Sequence, residues 1–158
     1  MLTQLTRLSL EVDGRYATDQ ELQFLEEYLD SVDLRIRTYE KIRDHEAEII
    51  PEVEAKMRAL NQNNQLFVMG DYEIEICRRD RKNAICYSCT AMLMDDLDRL
   101  REGTLIWFQT IVRAIGWKRY VQNHYPTIQE VIKNYLTPEE AELIMVVFQV
   151  EHNILGLW

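Results

Sequence analysis

Residues 12–56 read VDGRYATDQELQFLEEYLDSVDLRIRTYEKIRDHEAEIIPEVEAK. Thr18 stands three residues before Glu21, the spacing of a capping box, in which hydroxyl and carboxylate each satisfy a free backbone N–H. Leu22, Leu25, Leu29 and Val32 then recur at three- and four-residue steps, which makes one apolar stripe on a helix. A second stripe runs through Ile36, Tyr39, Ile42, Ile50, Val53, Met57 and Leu60, and Pro51 is expected to kink or interrupt it. The same punctuation recurs downstream. Thr127…Glu130 and Thr137…Glu140 predict two further helix starts, the second strengthened by Pro138 at the first helical position. From Leu60 to Asp71, with Asn61, Asn63, Asn64 and Gly70, the chain reads as a loop. Helices are predicted over about 72–95 and 104–115, the latter carrying Leu105, Trp107, Phe108, Ile111 and Val112. Residues 116–126 read as a connection. With 5 Gly and 3 Pro in 158 residues there is little material for tight turns, so the sequence predicts six to eight helices, no strand, and an all-α globin-like or bundle fold.

The length fits one domain over residues 1–158. A net charge of −9 argues against nucleic acid as a partner, because phosphate contacts need a basic surface. One basic cluster, Arg78-Arg79-Asp80-Arg81-Lys82, reads either as a solvated helix face or as a local anion site. The first ten residues lack the apolar core and cleavage site of a secretory signal. The longest apolar run, residues 143–148, is far too short to span a membrane. Three cysteines, Cys77, Cys86 and Cys89, suit a reducing compartment. Cys86 and Cys89 form a C-x-x-C pair, but mid-helix, where no helix N-terminus lowers a thiol pKa. Zinc needs four ligands and no second pair exists. His45, His124 and His152 suggest no haem-binding pair, and His45, Glu46 and Glu48 read as a charged helix face. No nucleophile elbow, P-loop or dinucleotide fingerprint is present, so no enzyme reading arises.

The stretch 12–56 resembles, without a gap, the first part of an allophycocyanin β chain, a phycobiliprotein of the phycobilisome. Gly14, Tyr16, Leu25, Tyr28, Leu34-Arg35, Arg37, Ile42, Ala47, Ile49, Glu52 and Ala55-Lys56 are among the matching points. A more specific match is Cys77-Arg78-Arg79-Asp80, the C-x-R-D that opens the pigment-holding helix of that family. Ala91-Met92-Leu93 and Asp96 follow at the family's spacing, and Ala114-Ile115-Gly116 falls on its turn. The resemblance covers about residues 8–155. It implies a globin-like phycocyanin fold, with a six-helix globin core and two N-terminal helices that dock chain to chain. It further implies a light-harvesting or light-sensing role with a bilin such as phycocyanobilin, and partners among phycobiliprotein chains, a second copy, or phycobilisome linker proteins. The implied location is the cytoplasmic face of the thylakoid membrane.

A linear tetrapyrrole is floppy, and a protein makes it fluoresce by holding it extended. That requires a thiol for the thioether, a carboxylate for the inner pyrrole N–H groups, and a cation for the propionates. The resemblance carries these roles onto Cys77, Asp80 and Arg79 respectively. Cys77 and Asp80 lie three residues apart, on neighbouring parts of one helix face.

The edges of the site depart from the family. Tyr72-Glu73-Ile74-Glu75-Ile76 stands where the family has a basic pair, so Arg78, Arg81 or Lys82 is expected to take over the propionates. Asn83 and Ala84 replace aromatic residues that pack on the pigment. Cys86 replaces an arginine used in chain contact. Two readings follow, a bilin in a modified pocket or a pigment-free paralogue acting as an interaction or regulatory protein on the same fold. Leu2, Leu5, Leu8, Leu10, Tyr16, Tyr28 and Leu29 either cover a partner chain or fold back on the core.

Overall fold

A computed structural model describes residues 1–61, 66 and 71–157, with the side chains of 71–74 left aside. The expected loop between Leu60 and Asp71 lies largely outside the described residues. Helix α1 (Leu2–Glu11) leads to α2 (Asp19–Asp44), α3 (Glu46–Leu60), α4 (Asp71–Met94) and the single turn α5 (Leu97–Leu100). A π-helical turn, Arg101–Leu105, runs into α6 (Ile106–Ile115), followed by α7 (Lys118–Ile132) and α8 (Pro138–Gly156). Among the described residues there is no strand. This is the all-α, globin-like arrangement the sequence predicts, with α1 and α2 ahead of the core.

Two of the three expected capping boxes form. Thr18 and Thr137 each accept a bond from the N–H of the glutamate three residues on, and that glutamate returns the bond. The third does not. Thr127 lies inside α7, buried, and its Oγ1 donates to the Asn123 carbonyl at 2.7 Å. The expected connection over 116–126 is likewise mostly helix, running through Pro126. The energetics explain why. An internal proline costs about 3 kcal/mol, whereas α7 buries Tyr120, Val121, Tyr125, Ile128, Val131 and Ile132, each contributing about 1.5–3 kcal/mol.

The break near Pro51 is also displaced. Pro51 sits within α3 and the chain turns earlier, at His45. There the backbone N–H and the ring Nδ1 both engage the Lys41 carbonyl, the ring at 2.8 Å, and the imidazole packs on Tyr135. Burial of Ile49, Ile50, Val53 and Met57 holds α3 together past the proline.

The core lies between α7, α8, α3 and the inner face of α4. On α8, Ile144, Val147, Phe148, Glu151 and Leu155 all point into it. Helix α2 is clamped across the end of α4 by Arg35, which bonds Ser31 Oγ at 2.9 Å, the Met92 carbonyl and Asp95 at 3.0 Å. Helix α1 buries no residue. It is hooked to the α4–α5 corner through Asp96, which accepts from Thr3 N at 2.8 Å and Thr3 Oγ1 at 2.7 Å. Gly116 ends α6 in the left-handed conformation (φ 72°), which favours glycine.

Candidate functional site

On a helix each residue turns about 100°, so Arg78-Arg79-Asp80-Arg81-Lys82 cannot face one way. The structure distributes these charges around α4. Arg78 points at α3, where its guanidinium makes two bonds to Glu54, at 2.8 and 2.9 Å. Arg58 joins the same carboxylate from within α3 at 2.8 Å. Hydrogen bonds from Arg78 first and Arg58 second, working against burial, hold Glu54 down to about 2. One turn on, Lys82 pairs with Glu46 at 2.7 Å. Arg78 and Lys82, expected as propionate partners, are thus engaged with α3, and neither is among the residues lining the two spaces that Asp80 borders. Four residues apart, they share the acidic side of the helix.

Arg79 and Asp80 face a different space. A groove of about 440 Å³ is bounded by α4, the π turn, α6, α7 and α8. Arg79, Asp80, Ala84 and Tyr87 line it from α4, Trp107 and Phe108 from α6, Tyr125 from α7 and Glu151 from α8. The size falls in the ordinary range for a small-molecule site. Arg79 is exposed and donates twice to Asp80 Oδ1, at 3.0 and 2.9 Å. The family's aromatic positions at Asn83 and Ala84 are empty of rings. The rings that line the groove are those of Trp107, Phe108, Trp117, Tyr87 and Tyr125. In the sequence Trp107 and Phe108 read as ordinary members of an apolar stripe, and Trp107 is in fact half exposed on the groove wall.

Cys77 is buried, 2% exposed, and lines a smaller void of about 40 Å³ beside the groove. Both spaces share Asp80, Ala84, Phe108, Trp117 and Tyr125 in their walls. The expectation that Cys77 and Asp80 flank one face holds for the void. Only Asp80 also reaches the groove.

The void has a polar floor that the sequence did not single out as a unit. Arg81 is 2% exposed; its Nη2 donates to the Tyr120 hydroxyl at 3.3 Å and its Nε to His124 Nε2 at 3.4 Å. His124 therefore carries its proton on Nδ1. Burial first and the Arg81 charge second push the ring down to about 3, so it is neutral at pH 7. Tyr120 stacks on it at 5.1 Å, and burial pushes its phenol up. Arg81 Nη1 has no hydrogen-bond partner, and neither has Glu151 Oε2, the two such buried atoms among the described residues. Burial raises the thiol pKa of both Cys86 and Cys89, the opposite of what redox chemistry needs. No group of three His, Cys, Asp or Glu side chains is placed to hold a metal among the described residues.

The fold is thus an all-α, globin-like one with a groove beside α4, and comparison with protein families places it. The model of the phycobilisome protein family matches residues 8–155, nearly the whole chain. The chain belongs to that family, which supports a light-harvesting phycobiliprotein role. No individually curated protein matches it. No described helix is long and apolar enough to cross a membrane.

Proposed function

We propose that this chain is a divergent allophycocyanin-like subunit holding one linear tetrapyrrole in the groove, tethered through Cys77. The observation that supports it is the joint wall. Asp80, Ala84, Phe108, Trp117 and Tyr125 border both the groove and the void that contains the Cys77 thiol. The residues fit such a group. When bound it supplies the light absorption. Cys77 offers the sulfur for a thioether, Asp80 the carboxylate for pyrrole N–H groups, and Arg79 a guanidinium that leaves Asp80 for a propionate. The rings of Trp107, Phe108 and Trp117 shed water and restrict twisting.

The test is co-expression with enzymes that make phycocyanobilin and with a lyase, followed by a denaturing gel stained with zinc. The wild type is expected to give a fluorescent band. Cys77→Ala is expected to lose it and Cys86→Ala, whose thiol is exposed on another face of α4, to keep it. No band from the wild type beside a bright allophycocyanin control would sink the proposal and favour the pigment-free alternative.

The family supports assembly with other phycobiliprotein chains. The surface that suits this is the N-terminal pair of helices, where Leu10, Leu29 and Ile36 are exposed and Tyr16 is 98% exposed. In sedimentation at micromolar concentration the wild type is expected to exceed a monomer, alone or with an allophycocyanin α chain. Leu29→Glu is expected to return it to the monomer. A wild type that stays monomeric in both settings removes this face as a docking surface. Linker contacts and a place at the thylakoid face are further parts of the same proposal.

A further inference from the structure

We propose that Glu151 is a second carboxyl of the groove, held by Ser88 as a neutral acid, and that its free oxygen accepts a hydrogen bond from a ligand N–H. This rests on the ligand reading above and adds a residue outside the C-x-R-D motif. Glu151 is 2% exposed, lines the groove, and its Oε2 has no partner. A buried oxygen without a donor is unfavourable unless something arrives to fill the place.

The proton follows from counting. Ser88 Oγ lies 2.7 Å from the Ala84 carbonyl oxygen and 2.8 Å from Glu151 Oε1. A hydroxyl carries one proton, and a carbonyl can only accept. A mid-helix serine gives its proton to the carbonyl four residues back. Its lone pair then faces Glu151, so the proton between these two oxygens belongs to the carboxyl. Oε1 is the hydroxyl end, anchored on Ser88, and Oε2 is the carbonyl end, buried and without a donor. Burial acts in the same direction and pushes Glu151 up to about 8, against the bond that the Ser88 hydroxyl would donate to the ionised carboxylate.

The neighbours leave this titration clean. From α4, Asp80 is paired with Arg79, Tyr87 stands at the rim and Cys89 is pushed up by burial. From α7, Tyr125 is pushed up by burial and by the Glu151 charge. The π turn and α6 contribute Thr104, Leu105 and Phe108, which carry no charge. The pyrrole and lactam N–H groups of an open-chain tetrapyrrole are donors of the required kind. Asp80 meets them from its place beside Arg79, Glu151 as a neutral acceptor that becomes an anion in mild alkali.

The experiment is an absorption titration of the pigment-loaded chain from about pH 6 to about pH 10. The wild type is expected to show a reversible band shift with a midpoint near 8. Glu151→Gln presents the same carbonyl and cannot ionise, so its band is expected to stay fixed. A loaded wild type with a static band, or a Gln variant that shifts like the wild type, overturns this inference alone. A wild type that takes no pigment overturns the proposed function and the ligand role of Glu151 with it. Infrared spectra of the pigment-free chain add an independent reading. The carbonyl stretch of a neutral carboxylic acid is expected near pH 7 and is expected to vanish in Glu151→Gln. Its absence from the wild type would overturn the neutral-acid assignment.

Discussion

Glu151→Gln is expected to gain about 3 kcal/mol of stability on the wild type between pH 4 and pH 7, read by urea unfolding at each pH. The carboxyl moves from its ordinary 4.5 to about 8 in the fold. Below 4.5 both folded and unfolded chains hold the proton, and the group has no effect. Above 4.5 the unfolded chain releases it while the folded chain retains it, so stability falls as pH rises until the folded carboxyl ionises near 8. Glutamine has no proton to release and its curve lacks that slope. His124 supplies the reverse. Its ring is held neutral down to about 3 in the fold and takes a proton near 6.5 when unfolded, so stability is lost as pH falls below 6.5. Glu54, held near 2 by Arg78 and Arg58, adds a loss on the acid side as pH falls through the range below 4.5. Together the groups give a wild-type optimum between about pH 4.5 and pH 6.5. Curves of wild type and Gln variant that run parallel from pH 4 to pH 8 would refute the buried acid.

Phe148→Ala is expected to cost about 3–5 kcal/mol in the same measurement, the loss for a large side chain removed from a close-packed core. Phe148 is 1% exposed and sits on α8 among Ile144, Val147 and Leu155. It stands three residues before Glu151, on the same buried face. The cavity it leaves therefore loosens the helix that carries Glu151 into the groove lining. Against a total stability of about 5–15 kcal/mol, the variant is expected to be marginal at room temperature. A cost under about 1 kcal/mol would show that α8 closes over the gap.

Both variants act on α8, and the sequence carried more of that helix than of its use. Thr137, Pro138 and Glu140 set its start because a capping box needs nothing beyond its own turn. The same three-residue spacing misled at Thr127, where the chain was already helical and the hydroxyl had a carbonyl to bond. Helices also run on through both internal prolines, for one reason. Pro51 and Pro126 each sit on helices whose buried faces outweigh a single lost hydrogen bond. The motif Cys77–Asp80 was legible as residue types at a spacing, yet spacing alone could not say that Arg78 and Lys82 would be spent on Glu54 and Glu46. Those acids lie on another helix, and only the crossing of α3 and α4 brings them near. Glu151 did leave a trace, since it continues the stripe Ile144, Val147, Phe148 at helical spacing. A carboxylate in phase with a core stripe is a mark of a buried acid.

The π turn at Arg101–Leu105 bears on the groove in a way that no single side chain does. Such a turn holds one surplus residue in an otherwise continuous helical run. Every side chain after it is advanced by one step, about 100°, and that advance brings Trp107 and Phe108 onto the groove wall. Deleting one residue from the turn would restore plain α-helical phase and swing both rings away, with every lining residue still present in the chain. The aromatic wall is thus written in the chain as a length, and a loss of one codon in the turn could erase it where many point substitutions would not.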